Sequence, residues 1–431
     1  MTRPGSCPPD RRRYSTGVAR TYWVETLGCP KNQVDSDKLI GTLQADGLIA
    51  AAAPEAADLV VVNTCAFIEA AREESVATVL SLSGSRRAGA ELVVTGCLAE
   101  RYGAELASAL PEARVAGFGV PVTLGAKPTV PAFDLLNLPR PRASAPWAYV
   151  KVAEGCDRTC GFCAIPSFRG KQRSRTVESI LAEVDALGVQ EIVLVAQDLA
   201  SYGRDDHRAG AIVELVREVT ARVARTRLLY LYPSELTDSL IDVIGATGVP
   251  YFDLSLQHVA KQHLRRMRRW GDGRRFLDRI AAIRARYPDA AFRSSFIVGY
   301  PGETEADQDA LLAFLEEAQL DWAGFFAYSA EEGTYATTLP GRVSAGLAAE
   351  RLREAGELQD AITASKRLAL LGCDLDVLVD EPGLARSHRE APEIDGVIHV
   401  PSSLPAGSFA RVTVTGATGP DLDAVLVGAE V

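Results

Sequence analysis

The sequence predicts an α/β protein in three parts: an N-terminal doubly wound α/β domain, a central partial (β/α)6 barrel and a small C-terminal antiparallel β-barrel. Three observations predict it. Apolar runs alternate with helically spaced stretches between residues 21 and 125. After a proline-rich stretch at 126–146 the same rhythm restarts and runs for six further units, to about residue 365. From residue 366 to 431 it gives way to short β-like runs broken by Gly, Pro and Asp.

In the first part, residues 22–27, 59–62 and 92–95 read as strands, with helical spacing at 35–45 and 69–82 between them. A βαβαβ order calls for a parallel sheet with helices on both faces. Pro128, Pro131, Pro139, Pro141 and Pro146 then mark an ordered interdomain linker. The six strands expected next are 148–153, 192–196, 228–232, 252–256, 292–298 and 323–328. Six βα units without a reversal make an open barrel whose site lies at the carboxyl ends of its strands. The last part offers strands at 376–379, 396–400, 409–415 and 424–427.

Composition narrows the function. The 431 residues are 47% hydrophobic and 24% charged, the balance of an ordinary globular protein. A net charge of −10 argues against binding nucleic acid by bulk electrostatics. No apolar run approaches the roughly 20 residues that span a bilayer. Residues 1–20, rich in Pro and Arg, read as a disordered tail rather than a secretory leader. A cytoplasmic protein is expected, and its eight cysteines are then not expected to form structural disulfides. Their spacing has to say what they do.

Cys156, Cys160 and Cys163 form C-x3-C-x2-C directly after the first barrel strand. Three thiolates so close in sequence can wrap one four-iron cluster from a single loop and leave one iron open. That open iron can chelate the amino and carboxylate groups of S-adenosylmethionine. A structural zinc site would need a fourth ligand, usually in paired C-x2-C form, and no further Cys or His lies nearby. Cys29, Cys65 and Cys97 are far apart in sequence, but each follows a predicted strand of the first domain by two or three residues. Parallel strands bring their carboxyl ends to one edge. On topology alone the three could share one site, or be unrelated buried cysteines.

Local sequence adds a resemblance. Residues 154–163 (EGCDRTCGFC), followed by AIP and RG, resemble the radical-SAM motif of the methylthiotransferase family. Residues 25–32 (ETLGCPKN), 63–68 (NTCAFI) and 95–98 (TGCL) resemble the three cysteine motifs of that family's N-terminal domain. The resemblance covers about residues 21–431, in the family order of methylthiotransferase domain, radical-SAM barrel and TRAM barrel. It implies two 4Fe-4S clusters, the first on Cys29, Cys65 and Cys97 and the second, which binds S-adenosyl-L-methionine, on Cys156, Cys160 and Cys163. Phe162 matches the family's aromatic residue beside the second cluster. Gln197 and Asp198, Gln257 and Gly299 lie at strand ends where S-adenosylmethionine contacts are expected. No catalytic residue is assigned beyond the clusters. Cys7 and Cys373 match nothing.

The family has two substrate branches. Residues 25–37 (ETLGCPKNQVDSD), the AFI after Cys65, and the run from AQD at 196–198 to SYG at 201–203 resemble the RimO type. That branch methylthiolates the β-carbon of an aspartate in the twelfth protein of the small ribosomal subunit. The resemblance thus implies a basic ribosomal protein as partner, free or within the subunit, with external electron and sulfur donors. Two S-adenosylmethionine molecules are expected per turnover, one as methyl donor and one as source of the radical that takes the β-hydrogen. The last part holds ten Asp/Glu and three Arg from 371 onward, and an acidic face suits a basic protein better than RNA. Against this, residues 261–286 hold nine Arg and one Lys with two Asp. That run reads as a solvated face, or as a docking patch for ribosomal RNA. The alternatives are a tRNA adenosine 2-methylthiotransferase of the same chemistry and, more distantly, a non-catalytic iron–sulfur electron carrier.

Overall fold

Strands β1 (Thr21–Thr26), β2 (Ile49–Ala50), β3 (Leu59–Thr64), β4 (Glu91–Gly96) and β5 (Ala113–Val115) form one parallel sheet in the order β2-β1-β3-β4-β5. The computed structural model describes residues 20–124 and 134–428, so the tail, Cys7, Pro128 and Pro131 lie outside the described residues. Every residue of β3 is buried, because helices cover both faces. Val60, Val62, Leu92 and Val94 pack toward helices α2 (Glu69–Ser85) and α3 (Cys97–Ala109). Leu59, Val61 and Val93 pack toward Leu39 and Leu43 of α1 (Pro30–Ala45). The predicted three strands are the middle of this sheet. Edge strands β2 and β5, two and three residues long, carry too little pattern to be read from sequence.

The linker is anchored where it is described. Gly41 lies so close to Pro139 that an added Cβ would stand 2.7 Å from its carbonyl oxygen. Arg140 bridges Asp37 of α1 at 3.0 Å and Glu183 of the barrel at 3.3 Å.

The barrel strands are β6 (Trp147–Lys151), β9 (Glu191–Val195), β10 (Arg225–Leu228), β11 (Tyr251–Gln257), β12 (Ala291–Val298) and β13 (Trp322–Ala327). A short hairpin, β7 (Ala153–Glu154) with β8 (Arg173–Ser174), sits between the first two. The six pair in parallel as β6-β9-β10 and β11-β12-β13, and a bridge between Leu231 and Leu254 joins the halves. No pairing between β6 and β13 is found among the described residues, so the barrel is open. One strand differs from expectation. The third was placed at 228–232 and lies at 225–228, because Arg225 and Arg227 are buried strand residues. Their charges meet Glu191 and the backbone of the C-terminal domain, partners that no local pattern reveals.

The C-terminal strands β14 (Asp374–Glu381), β15 (Leu384–Arg386), β16 (Ile398–His399), β17 (Phe409–Thr418) and β18 (Asp421–Leu426) close into a barrel in the order β14-β15-β16-β18-β17. It is antiparallel except at one seam, where β16 and β18 run parallel. The loop between β15 and β16 plugs the amino-terminal end of the central barrel. Ala391 joins the interior core of Tyr149, Val193, Tyr251 and Trp322. Tyr149 donates to the Pro392 carbonyl at 2.8 Å, Tyr251 to Asp395 at 2.6 Å and Trp322 to the Arg389 carbonyl at 2.7 Å. Asp380, Glu390 and Asp395 are consumed by Arg386, Arg367 and Arg293. The acidity of this part is therefore partly docking charge, which removes it as a clean indicator of a basic substrate.

Candidate functional site

Both cysteine triads lie where parallel strands end. Cys29 is the N-cap of α1, Cys65 follows β3 directly, and Cys97 opens α3 after β4. Glycines make the approach possible. Gly28 has φ +94°, and an added Cβ would stand 2.8 Å from Cys65 Cβ and 2.9 Å from its sulfur. Gly96 has φ +91°, and a Cβ there would reach 2.4 Å from Asn63 Oδ1. The thiols are close enough to act on one another. Cys65 is pushed up to about 12, first by burial, with Cys97 and Cys29 adding to it. Cys97 is likewise raised by burial. Cys29 goes the other way: burial opposes its ionisation, but Lys31, Arg169 and two backbone amides outweigh it.

The second triad follows β6 and β7. The Cys156 thiol is pushed up to about 11 and that of Cys163 to about 12, mainly by burial. The Arg158 amide points at Cys156 Sγ at 3.4 Å, and Arg269 Nη1 lies 3.4 Å from Cys160 Sγ. Among the described residues no three His, Cys, Asp or Glu are arranged around a single metal ion. A four-iron cube is wider than one ion and spreads three thiolates over three corners.

A buried charge network spans the space between the triads. Arg169 donates to Cys97 Sγ at 3.1 and 3.4 Å, to Asn32 Oδ1 at 2.7 Å and to both Glu154 oxygens at 2.9 and 3.0 Å. Lys151 pairs with Asp35 and with Glu154. At the outer edge, Arg72 and Arg101 of the first domain both hold Glu331, beyond β13, at 2.5 Å.

The expected cofactor contacts are placed as follows. Gln197 gives its amide N–H to Glu154 at 2.7 Å, and its buried Oε1 has no partner among the described residues. Asp198 accepts from Arg158 at 2.6 Å through Oδ2, and its buried Oδ1 has no partner among the described residues. Two unpaired acceptors at one strand end suit an incoming amino group. Phe162 packs beside Met267, Ile297 and Tyr300. Gln257 ends β11 with φ +71° at a register shift. A Cβ at Gly299 would meet Ala348 at 2.9 Å, and the Gly299 N–H goes to Glu303 at 3.0 Å. The neighbouring His258 accepts from the Ala260 amide and approaches Glu303 at 3.5 Å.

The basic run at 261–286 divides. Arg265 and Arg268 are exposed. Arg266 donates to the Pro301 carbonyl at 3.1 Å, and Arg269 turns to the second triad. Sequence reading missed Lys31, Glu154, Arg158, Arg169 and Arg269 as site residues. Their one signal was position, within or just after the quoted cysteine motifs, except for Arg269, which had none.

Comparison with known proteins completes the picture. Residues 21–117 match a family described as uncharacterized protein family UPF0004, residues 150–315 the radical SAM superfamily and residues 371–427 the TRAM domain. A radical-SAM domain implies S-adenosylmethionine and a 4Fe-4S cluster. The chain is 42% identical over 417 residues to the ribosomal protein uS12 methylthiotransferase RimO of Moorella thermoacetica, covering 91% of this chain and 96% of that one. It is 41% identical to the protein of that name from Aquifex aeolicus, covering 93% and 95%. Among solved structures, the radical S-adenosylmethionine methyltransferase TsrM of Kitasatospora setae aligns over 71% of this chain and 73% of its own, at 14% identity and TM-score 0.46. The similarity to the curated relatives runs through all three domains, and the chain belongs to the RimO methylthiotransferase family.

Proposed function

We propose that this chain is a radical-SAM enzyme that methylthiolates the β-carbon of an aspartate in ribosomal protein uS12, with two 4Fe-4S clusters. The observation that carries the reading is that two three-cysteine sites each follow the carboxyl ends of parallel strands, and that Arg169 holds Cys97 of the first and, through Glu154, the short strand that leads into Cys156 of the second. When bound, the clusters and S-adenosylmethionine supply removal of hydrogen from an unactivated carbon and delivery of a methylthio group. The chain's own residues hold and orient. In this reading Cys156, Cys160 and Cys163 hold one cluster, and Cys29, Cys65 and Cys97 the other. Gln197 Oε1 and Asp198 Oδ1 accept from the N–H groups of the S-adenosylmethionine amine, with Arg158 fixing Asp198. Phe162 shields the second cluster from water. Arg169 sets the spacing of the two sites. No helix among the described residues is long and apolar enough to cross a membrane, and a cytoplasmic setting goes with a ribosomal substrate.

The test offers purified uS12 protein and tRNA side by side to the iron-loaded enzyme with S-adenosylmethionine, reductant and a sulfide source. The expected product is uS12 heavier by about 46 Da, the exchange of H for SCH3 on carbon. A gain on tRNA alone would refute the substrate. Replacing Cys29, Cys65 and Cys97 with Ala should halve the iron, from roughly eight to roughly four per chain. Unchanged iron would refute the second cluster.

A further inference from the structure

The cations around the two triads can be matched with their partners. Lys151 and Arg169 face Asp35 and Glu154. Arg158 faces Asp198 and Glu235. Arg293 faces Asp253 and Asp395. Arg269 has no carboxylate partner among the described residues, but it donates to the Ser255 carbonyl, approaches Cys160 and covers the Tyr232 ring. Lys31 stands apart. It is 8% exposed and, among the described residues, has no carboxylate within ion-pair distance and no hydrogen-bond acceptor, the nearest acidic influence being that of Asp253 at longer range. Its ammonium lies 3.3 Å from the centroid of the Tyr230 ring.

Both members of this pair are held in place. Lys31 is in the first turn of α1, two residues past Cys29, on the side of the first domain that meets the barrel. Tyr230 follows β10 with φ +65°, a left-handed conformation costly for an aromatic residue, and its N–H is fixed by Asp253 at 2.8 Å. A buried ammonium whose one direct contact is an aromatic face, with Cys29 and Asp253 acting on it only from beyond bonding distance, is incompletely compensated, and an incoming carboxylate would complete it. The reacting carbon of the proposed substrate is bonded directly to a carboxylate carbon. Anchoring that carboxylate places the β-carbon between the two triads and limits its freedom to a rotation.

We infer that Lys31, resting on Tyr230, is the subsite for the side-chain carboxylate of the substrate aspartate. This rests on the reading of uS12 as substrate. The competing role for Lys31 is a counter-charge to the Cys29 thiolate.

The experiment measures binding of the iron-loaded enzyme to purified uS12 protein carrying either the target aspartate or asparagine in its place. The parent should prefer the aspartate form by about ten- to a hundredfold, the range for a hydrogen bond to a charged group. Lys31→Met should bind the two forms alike, and Lys31→Arg should keep most of the preference. If Lys31→Met fails to take up iron, Lys31→Gln supplies the same comparison. A Lys31→Met enzyme that keeps the parental preference overturns the inference. So does one that shifts the reduction potential of the first cluster while leaving the preference intact, which would establish the counter-charge role. If the parent neither binds nor modifies uS12, the substrate reading fails and the inference falls with it. If the parent modifies uS12 and the preference is insensitive to Lys31, only the inference fails.

Discussion

Replacing Arg169 with Met should be the most damaging single change between the two triads. Asp35, Glu154, Lys151 and Arg169 form a buried quartet of two anions and two cations. Lys151 is 0% exposed, Asp35 1% and Arg169 3%. Methionine matches the length of the side chain but leaves two carboxylates facing one ammonium. Breaking a buried pair in this way costs about 3–5 kcal/mol, because the stranded charge keeps its desolvation penalty. At roughly 2–4 °C per kcal/mol for a cooperative unit of 150–250 residues, the melting temperature should fall by about 6–20 °C. Two companions test the mechanism. Asp35→Asn in the Arg169→Met background removes the stranded charge and should recover part of the loss, a coupling visible in a double-mutant cycle. Arg169→Lys keeps the charge but lacks the fork that reaches Cys97, Asn32 and Glu154 together, and should fall between parent and Met. As a control, Arg353→Ala breaks only an exposed pair with Glu357 and should not move the melt. The assay is calorimetry of the anaerobic, iron-loaded protein, with iron counted in each variant. The reasoning is refuted if Arg169→Met melts within 2 °C of the parent (about 1 kcal/mol on the same scale), or if Asp35→Asn deepens its loss.

Two further outcomes follow from the packing. The C-terminal loop should be held most firmly at mildly acidic pH. Burial opposes ionisation of Glu191 and Glu390, but Arg386, Arg227 and Arg225 in one case and Arg367 with Ser387 in the other hold both near 2, against an ordinary 4.5. Their stabilisation is present above 4.5 and is lost as pH falls toward 2. Asp395 is raised by burial to about 6 from 3.8, so its contribution is full below 3.8 and is lost as pH rises through 6. Hydrogen exchange of residues 387–395 should therefore be slowest near pH 4.5, quickening as pH rises toward 6 and as it falls toward 2, and a monotonic profile after correction for intrinsic rates would contradict this assignment. Separately, Gly96→Ala drives a Cβ to 2.4 Å from Asn63 Oδ1 and 2.5 Å from the Thr64 carbonyl at a φ of +91°. Iron should be lost from the first triad while the absorbance of the second cluster remains. Full iron loading would mean that this turn relaxes at little cost.

The exposed and the paired charges explain where sequence reading worked and where it stopped. The cysteine motifs were legible because they are short, and because topology delivers all parallel strand ends to one edge whatever the side chains do. Gly28 and Gly96 were quoted with those motifs, but their purpose, letting sulfur-bearing backbones meet, needed the neighbouring chains to be seen. Gly299 was offered as a contact on the strength of a Gly turn at a strand end, and such a turn looks the same in sequence whatever its missing side chain would face. Here it opens toward Ala348.

By itself the sequence determined the three-part α/β architecture, the six cysteines worth testing and the family, since hydrophobic periodicity and compact motifs act over a few residues. Only the tertiary structure decided how the charges are used. Lys151 meets Asp35 across 116 positions, Arg169 meets it across 134, and Arg386 meets Glu191 across 195. A carboxylate selects its partner by distance in space, and in a closed fold that distance bears no relation to distance along the chain. That is why the basic run at 261–286 separated into exposed and inward-facing arginines. It is also why the acidic C-terminal barrel proved to spend charge on its own docking, and why Lys31 stood out once every other cation between the triads had its partner.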